Sequence, residues 1–199
     1  MLSRSNALAL VTAPAAEPIS TTDAKQQMRV EHSDDDMLIA RLVGVAIRTV
    51  DAEGMLGAAM ISQTWGESFG KSPGTVPLAM GPVQSVSAVK YYDADNALQT
   101  ATLSDFDVLG PSNQTIVRPK PGKTWPSPLY DRDDAIQIQY VCGYGDAASD
   151  VPQTVRHALL MLVAHWYENR EPELVGSISK TIPFGFADLL NLERAEWYG

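Results

Sequence analysis

Two strongly apolar stretches with helical spacing bracket a long middle rich in strand and turn residues. The first, His32–Val50, reads HSDDDMLIARLVGVAIRTV, and the second, Val151–Arg170, reads VPQTVRHALLMLVAHWYENR. A helix that is apolar over most of its circumference has to be buried on several sides. The fold class expected is therefore α+β, an α-helical body with an inserted β-rich subdomain. Helices are expected near 21–30, 34–53, 152–169 and 186–196, and the β-rich insertion at 60–145 within one domain, 1–199.

The chain has 199 residues, 45% of them hydrophobic and 20% charged, which is enough for one sizeable core and excludes wholesale disorder. Its formal net charge is -9, from 24 acidic and 15 basic residues. A field of that sign repels phosphate, so neither nucleic acid nor an anionic membrane is a general partner. No apolar run reaches the length that crosses a bilayer. Cys142 is the single cysteine, which excludes an intrachain disulfide and a cysteine-rich metal cluster and fits a reducing compartment. Arg4 followed by the apolar run Ala7–Val11 faintly resembles a signal peptide. The run is too short, and Thr12 and Pro14 interrupt it. Residues 1–18 read instead as an extended arm.

Ser20 and Asp23 have capping-box spacing ahead of the first helix, with a carboxylate in place of the usual Glu. Ser33 is the expected cap of the second, followed by Asp34, Asp35 and Asp36 in the first turn. Those three aspartates could hold a metal, but no spaced glycine and distal Glu complete a calcium loop, and compensation of the helix macrodipole explains them better. Met37, Leu38, Leu42, Val45, Ala46 and Thr49 give this helix one apolar face, and Ile39, Val43, Ile47 and Val50 a second. Strands are expected at Ile61–Trp65, Val83–Tyr92 with a bulge in its phase, Leu98–Leu103, Phe106–Leu109 and Ala135–Val141. The last is the cleanest alternation, with Ile136, Ile138 and Tyr140 on one side. Asp150, Pro152 and Gln153 open the third helix, whose buried stripe is Val155, Leu159, Leu162, Val163 and Trp166.

No catalytic constellation stands out. His157 and His165 lie eight apart on one helix, too far to chelate one ion at i, i+4 spacing, and His32 is alone. Gly143-Tyr144-Gly145 lacks the third glycine and the basic partner of a phosphate loop, so it reads as the end of a strand. Asp131, Asp133 and Asp134 could act as an acid/base pair, but carboxylates in an exposed loop are usually solvated. Trp65 and Trp125 could stack on sugars or bases, and packing is the better account. Neither a catalytic residue nor a metal or cofactor ligand is assigned.

In order along the chain, the strings Ser20–Val30 (STTDAKQQMRV), HSDDDMLIA, Ile61–Trp65, Gly81–Val86 (GPVQSV), Gly122–Pro126 (GKTWP), Tyr140–Asp146 (YVCGYGD), His165–Glu171 (HWYENRE) and Ile182–Gly185 (IPFG) form a series. By that series, residues 18–190 resemble the tailed-phage head–tail connector, or adaptor, family, which also occurs in phage-like gene transfer agents. The resemblance implies a structural protein with no catalytic residues and no cofactor. It implies a ring of this chain, a dodecamer, beneath the portal at the capsid vertex. It implies the portal and the stopper and tail proteins as partners, and DNA passing through the channel without specific binding. The location implied is the head–tail junction of a phage-like particle, with assembly in the bacterial cytoplasm and no membrane. Two helices apolar over most of their circumference agree with burial supplied by ring neighbours, and a net-acidic channel lets DNA slide. The segment 176–199 is the candidate portal contact, through Phe184, Phe186, Leu189, Leu190, Trp197 and Tyr198, since aromatics anchor interfaces. The open alternative is that this helix folds back on its own core. Two rival functions are a glycan-acting enzyme using the carboxylates near Trp125 and a nucleic-acid-binding module.

Overall fold

The structure, a computed structural model, describes residues 7–111, 114–169 and 184–193, leaving aside the side chain of Phe184. The chain forms two compact units. The described part of one comprises residues 7–15, 62–111 and 114–143, and that of the other residues 16–61, 144–169 and 184–193.

The second unit is helical. Its helices are α1 (Thr21–Met28), α2 (Asp36–Val50), α3 (Gln153–Glu168) and α4 (Phe184–Glu193). The capping box of α1 forms as its sequence predicts. Asp23 N–H donates to Ser20 Oγ at 3.1 Å, and Ser20 N–H donates to Asp23 Oδ2 at 2.8 Å. The helix stops at Met28, two residues early, because Arg29 turns into the left-handed region at φ 57° and its N–H closes on Gln26 and Lys25 carbonyls.

The bonds from Ser20 hold the Asp23 carboxyl below its ordinary range. A carboxyl with a lowered folded pKa contributes stability above about pH 4 and loses it as pH falls further. Ser20→Ala is therefore expected to cost about 1 kcal/mol at neutral pH, and less at pH 3, below the ordinary carboxyl value of 3.8. Urea titrations at the two pH values measure this.

The start of α2 differs from expectation. Asp35, not Ser33, is the N-cap, and it makes no side-chain cap bond. Ser33 contributes its carbonyl, which accepts from Asp36 N–H at 3.1 Å in the preceding turn. The aspartates of this turn tie elements together instead. Asp35 accepts a hydrogen bond from the Tyr167 hydroxyl of α3, and Asp36 pairs with Lys25 of α1. The start of α3 is also shifted. Pro152 is its N-cap, and Asp150 accepts from Ala147 N–H at 2.9 Å within a 3-10 turn. That side chain fills the space over Gly145, where a Cβ would stand 2.3 Å from Asp150 Oδ2. Helix α4 begins at Phe184 rather than 186.

The core of this unit takes Ile39, Val43, Ala46 and Val50 from α2 and Val155, Ala158, Leu159, Leu162 and Val163 from α3. Ile19, Ala24, Leu56 and Met60 join them, with Phe186 and Leu190 from α4. Of the two apolar faces expected of α2, the one with Ile39, Val43 and Val50 is in the core, and the other is covered only in part, at Ala46 and Leu42. Met37 is 81% exposed and Val45 48%. Trp166, expected in the stripe of α3, is half-buried.

Among the described residues the other unit holds eight strands. They are β1 (Ala7–Thr12), β2 (Gln63–Phe69), β3 (Val76–Pro77), β4 (Val83–Tyr92), β5 (Leu98–Thr100), β6 (Phe106–Leu109), β7 (Ile116–Pro119) and β8 (Ile136–Cys142). Five form one antiparallel sheet in the order β1-β2-β8-β4-β5, and three a second in the order β3-β7-β6. The residues read from sequence as an arm thus include a strand. Ala7–Leu10 pair in register with Ser68–Trp65, and Val11 forms a bulge before Thr12 meets Thr64. Gly66 permits the approach, with Val11 Cγ2 only 3.2 Å from where its Cβ would be. The alternation read in β8 holds: Ile136, Ile138, Tyr140 and Cys142 are all buried. So does the bulged phase of β4, whose register against β8 shifts between Val83 and Ser85 and again between Val86 and Ala88. Strand β5 ends at Thr100, short of the expected Leu103, and residues Leu103–Asp105 make a 3-10 turn.

Candidate interaction surfaces

Of the residues assigned to partner contact, Phe186 and Leu190 are buried, at 0% and 2% exposure, in the helical core, with α4 packed on α3. Leu189 packs half-buried beside them. Helix α4 is thereby anchored to α3. Thr154 Oγ1 also donates to Glu193 Oε1 at 2.7 Å, and Gly185 leaves room for Met161, whose Cε would lie 3.7 Å from a Cβ there. The outward side of α4 carries Leu192, 73% exposed, which the sequence reading passed over. Phe184 opens the helix. Its side chain, with Trp197 and Tyr198, lies outside the described residues.

The strands make a second kind of surface. Among the described strands β1 pairs with β2 alone, and its residues Ala7–Thr12 are all exposed except the half-buried Leu8. It carries no charge and no proline, the devices that usually blunt an exposed edge. At the far side of the sheet, β5 covers only Lys90–Tyr92 of β4. The half of β4 from Val83 to Ala88 pairs with β8 alone among the described strands.

The remaining candidates resolve into structure. Trp65 and Trp125 are 3% and 6% exposed. Trp125 stacks on Phe106 with ring centroids 5.0 Å apart and donates from Nε1 to the Gly74 carbonyl at 3.0 Å. Asp134 is held by Arg132, whose Nη2 donates to Oδ2 at 2.9 Å and whose guanidinium lies 3.5 Å over the Tyr92 ring. That hydrogen bond keeps the Asp134 carboxyl below its ordinary range, the opposite of what a general acid needs. Asp131 and Asp133 are exposed. His165 faces Asn169 Nδ2 at 3.3 Å, and His157 is exposed. At Gly143-Tyr144-Gly145, Gly143 takes φ +135° and closes β8 by donating to the Pro82 carbonyl at 2.8 Å. Among the described residues no group of His, Cys, Asp and Glu could hold a metal, and no helix is long and apolar enough to cross a membrane.

Sequence reasoning gave no sign of a buried acid in β2. Glu67 is 2% exposed and shares a face with Gln63, Trp65 and Phe69. Its Oε1 accepts from the Tyr140 hydroxyl at 2.7 Å and from Ala79 N–H at 2.6 Å. The Tyr140 oxygen in turn accepts from Met80 N–H at 3.0 Å. Burial, and then the facing carboxylate, push the Tyr140 hydroxyl far above its ordinary pKa, so it remains a donor.

No family model and no curated protein matches this chain. Solved structures do. A chain in the neck of an empty GTA particle, determined with C6 symmetry, superposes with a TM-score of 0.73 at 18% identity over 95% of both chains. A chain in the virion of a native gene transfer agent particle gives 0.69 at 19% identity, over 94% of this chain and 95% of that one. A chain in the neck of a native GTA particle, with C12 symmetry, gives 0.68 at 20% identity over 95% of both. The fold of this chain is that of the neck chains, along nearly its whole length.

Proposed function

We propose that this chain is a head–tail connector subunit of a tailed phage or phage-like gene transfer agent. Copies of it form a ring under the portal that joins head to tail and continues the DNA channel. The observation that carries this reading is the superposition at TM-score 0.73 over 95% of both chains on a protein from a particle neck. The symmetric necks of the similar chains support the ring, and the twelvefold one supports a dodecamer. The role is structural and passive, and Arg132 holds the Asp134 carboxyl in its ionised form rather than as a general acid. Stopper and tail proteins stack below, and DNA passes without specific contacts, as the net charge of -9 favours. The protein would assemble in the bacterial cytoplasm and reside at the head–tail junction.

Electron microscopy of particles made without this protein tests the reading. Heads without tails are the expected result. Normally tailed particles overturn it.

The segment 176–199 is proposed to dock on the portal. Exposed Leu192, with half-buried Leu189 beside it, supports this, while Phe186 and Leu190 fix the helix to the core. Deleting the segment would remove core residues, so a surface change is the better probe. Leu192→Glu is expected to weaken binding to isolated portal about tenfold or more, about 1.4 kcal/mol or above, with an unchanged melting temperature. Unchanged portal affinity would remove α4 from the docking surface.

A further inference from the structure

We infer that β1 of one copy pairs antiparallel with the open half of β4, Val83–Ala88, in the next copy, so that the five-stranded sheets run on from subunit to subunit. This deepens the ring reading and rests on it.

An edge strand presents a row of unpaired N–H and C=O groups that another strand can complete. Here the edges lie on opposite sides of one sheet, and they match. Strand β1 has six residues, Ala7–Thr12, and the uncovered half of β4 also has six, Val83–Ala88. Neither stretch, ALALVT or VQSVSA, bears a charge, so no repulsion opposes their pairing.

Direction decides between partners. Each neighbouring pair in the order β1-β2-β8-β4 is antiparallel, so β1 and β8 run one way and β2 and β4 the other. A second copy placed head to tail brings its β1 to β4 running oppositely, as β5 already does beside Lys90–Tyr92. The incoming strand would lie in line with β5 and complete the row that β5 leaves unfinished. A contact that joins two different surfaces is heterologous, and heterologous contacts make rings when the rotation closes. The two bulges in β4 bend that half of the strand, and a bend at each junction is what turns a running sheet into a closed ring rather than a fibre.

Paired cysteines test the contact in assembled particles. One cysteine goes into β1 (Leu8→Cys, Ala9→Cys or Leu10→Cys) and one into β4 (Ser85→Cys, Val86→Cys or Ser87→Cys) of the same chain, in every combination. Buried Cys142 stays in place. Within one copy β1 and β4 are three strand spacings apart, roughly 14 Å, too far for a disulfide. Any β1–β4 bond therefore joins two copies. After oxidation, at least one combination is expected to give a ladder from dimer upward on a non-reducing gel. A mixture of β1-only and β4-only cysteine copies is expected to stop at dimers. Rings visible in the microscope with no ladder from any combination overturn the pairing and leave the ring standing. Dimers from β1-only copies alone also overturn it, since that contact would be isologous. Particles that lack this chain in their necks overturn both readings. As a second variant, Ala9→Lys charges an exposed position of the edge. It is expected to lower incorporation about tenfold at an unchanged melting temperature, and full incorporation overturns the inference.

Discussion

Tyr140→Phe is expected to cost about 2–3 kcal/mol of stability at neutral pH, a large loss for the removal of one oxygen. The hydroxyl is fully buried and works in two directions: it donates to Glu67 Oε1 and accepts from Met80 N–H. Its loss takes a 2.7 Å donor from a carboxyl that is 2% exposed, and it takes the 3.0 Å acceptor from a backbone N–H. Leaving buried polar groups short of partners is what makes such deletions expensive. Removing both side-chain partners is expected to hurt less than the sum of the single changes, so Glu67→Leu with Tyr140→Phe should show favourable coupling in a double-mutant cycle. The cycle is measured by urea unfolding followed through tryptophan fluorescence. Strict additivity would sink the idea of a coupled network. The network also sets an alkaline limit. A tyrosine whose folded pKa is raised above the ordinary 10 contributes stability that is complete below pH 10 and is lost as pH rises beyond it. Tyr140→Phe should therefore flatten the fall in stability above about pH 10.

The second large effect is expected at Phe186. Truncation to alanine removes a ring that is 0% exposed in the helical core, and comparable truncations cost about 3–5 kcal/mol. Its measure is the melting of the helical signal in circular dichroism. The contrast with Leu192→Glu, six residues along the same helix but 73% exposed, separates two roles. Phe186 holds α4 in place, and Leu192 faces outward. A Phe186→Ala protein that melts like the parent would mean that α4 is not part of the core.

Where one face of an element is buried, the sequence disclosed it. The alternation in β8 and the stripe of Val155, Leu159, Leu162 and Val163 in α3 are written in apolar spacing, because burial on one side is what that spacing answers. The bulged phase of β4 was legible for the same reason. Strand β1 was not. It is an edge strand exposed on both faces, so no pattern of burial marks it, and its pairing with β2 depends on residues more than fifty positions away. The acid in β2 was hidden because Gln63 and Glu67 occupy inward positions of the strand, where alternation alone predicts the outward side for polar residues. Long-range hydrogen bonds made that placement tenable, and no local signal announces them. The caps failed similarly. The Ser33 and Asp150 motifs have the right composition, but Asp35 is drawn to Tyr167, 132 residues on, and Asp150 is used inside its own turn. For the surfaces, spacing identified the residues of α4 but not which of them are inward, and it gave no hint of the open edges of the sheet.

The order of the chain has a consequence for its birth on the ribosome. Helix α2 ends at Val50 and its packing partner α3 begins at Gln153, with strands β2 to β8 translated in between. At typical synthesis speeds of about 5–20 residues per second, that gap lasts roughly 5–20 s. Throughout it, Ile39, Val43, Ala46 and Val50 have no α3 to cover them, and the nascent chain is a natural client for a chaperone that shields short greasy helices until the remainder arrives.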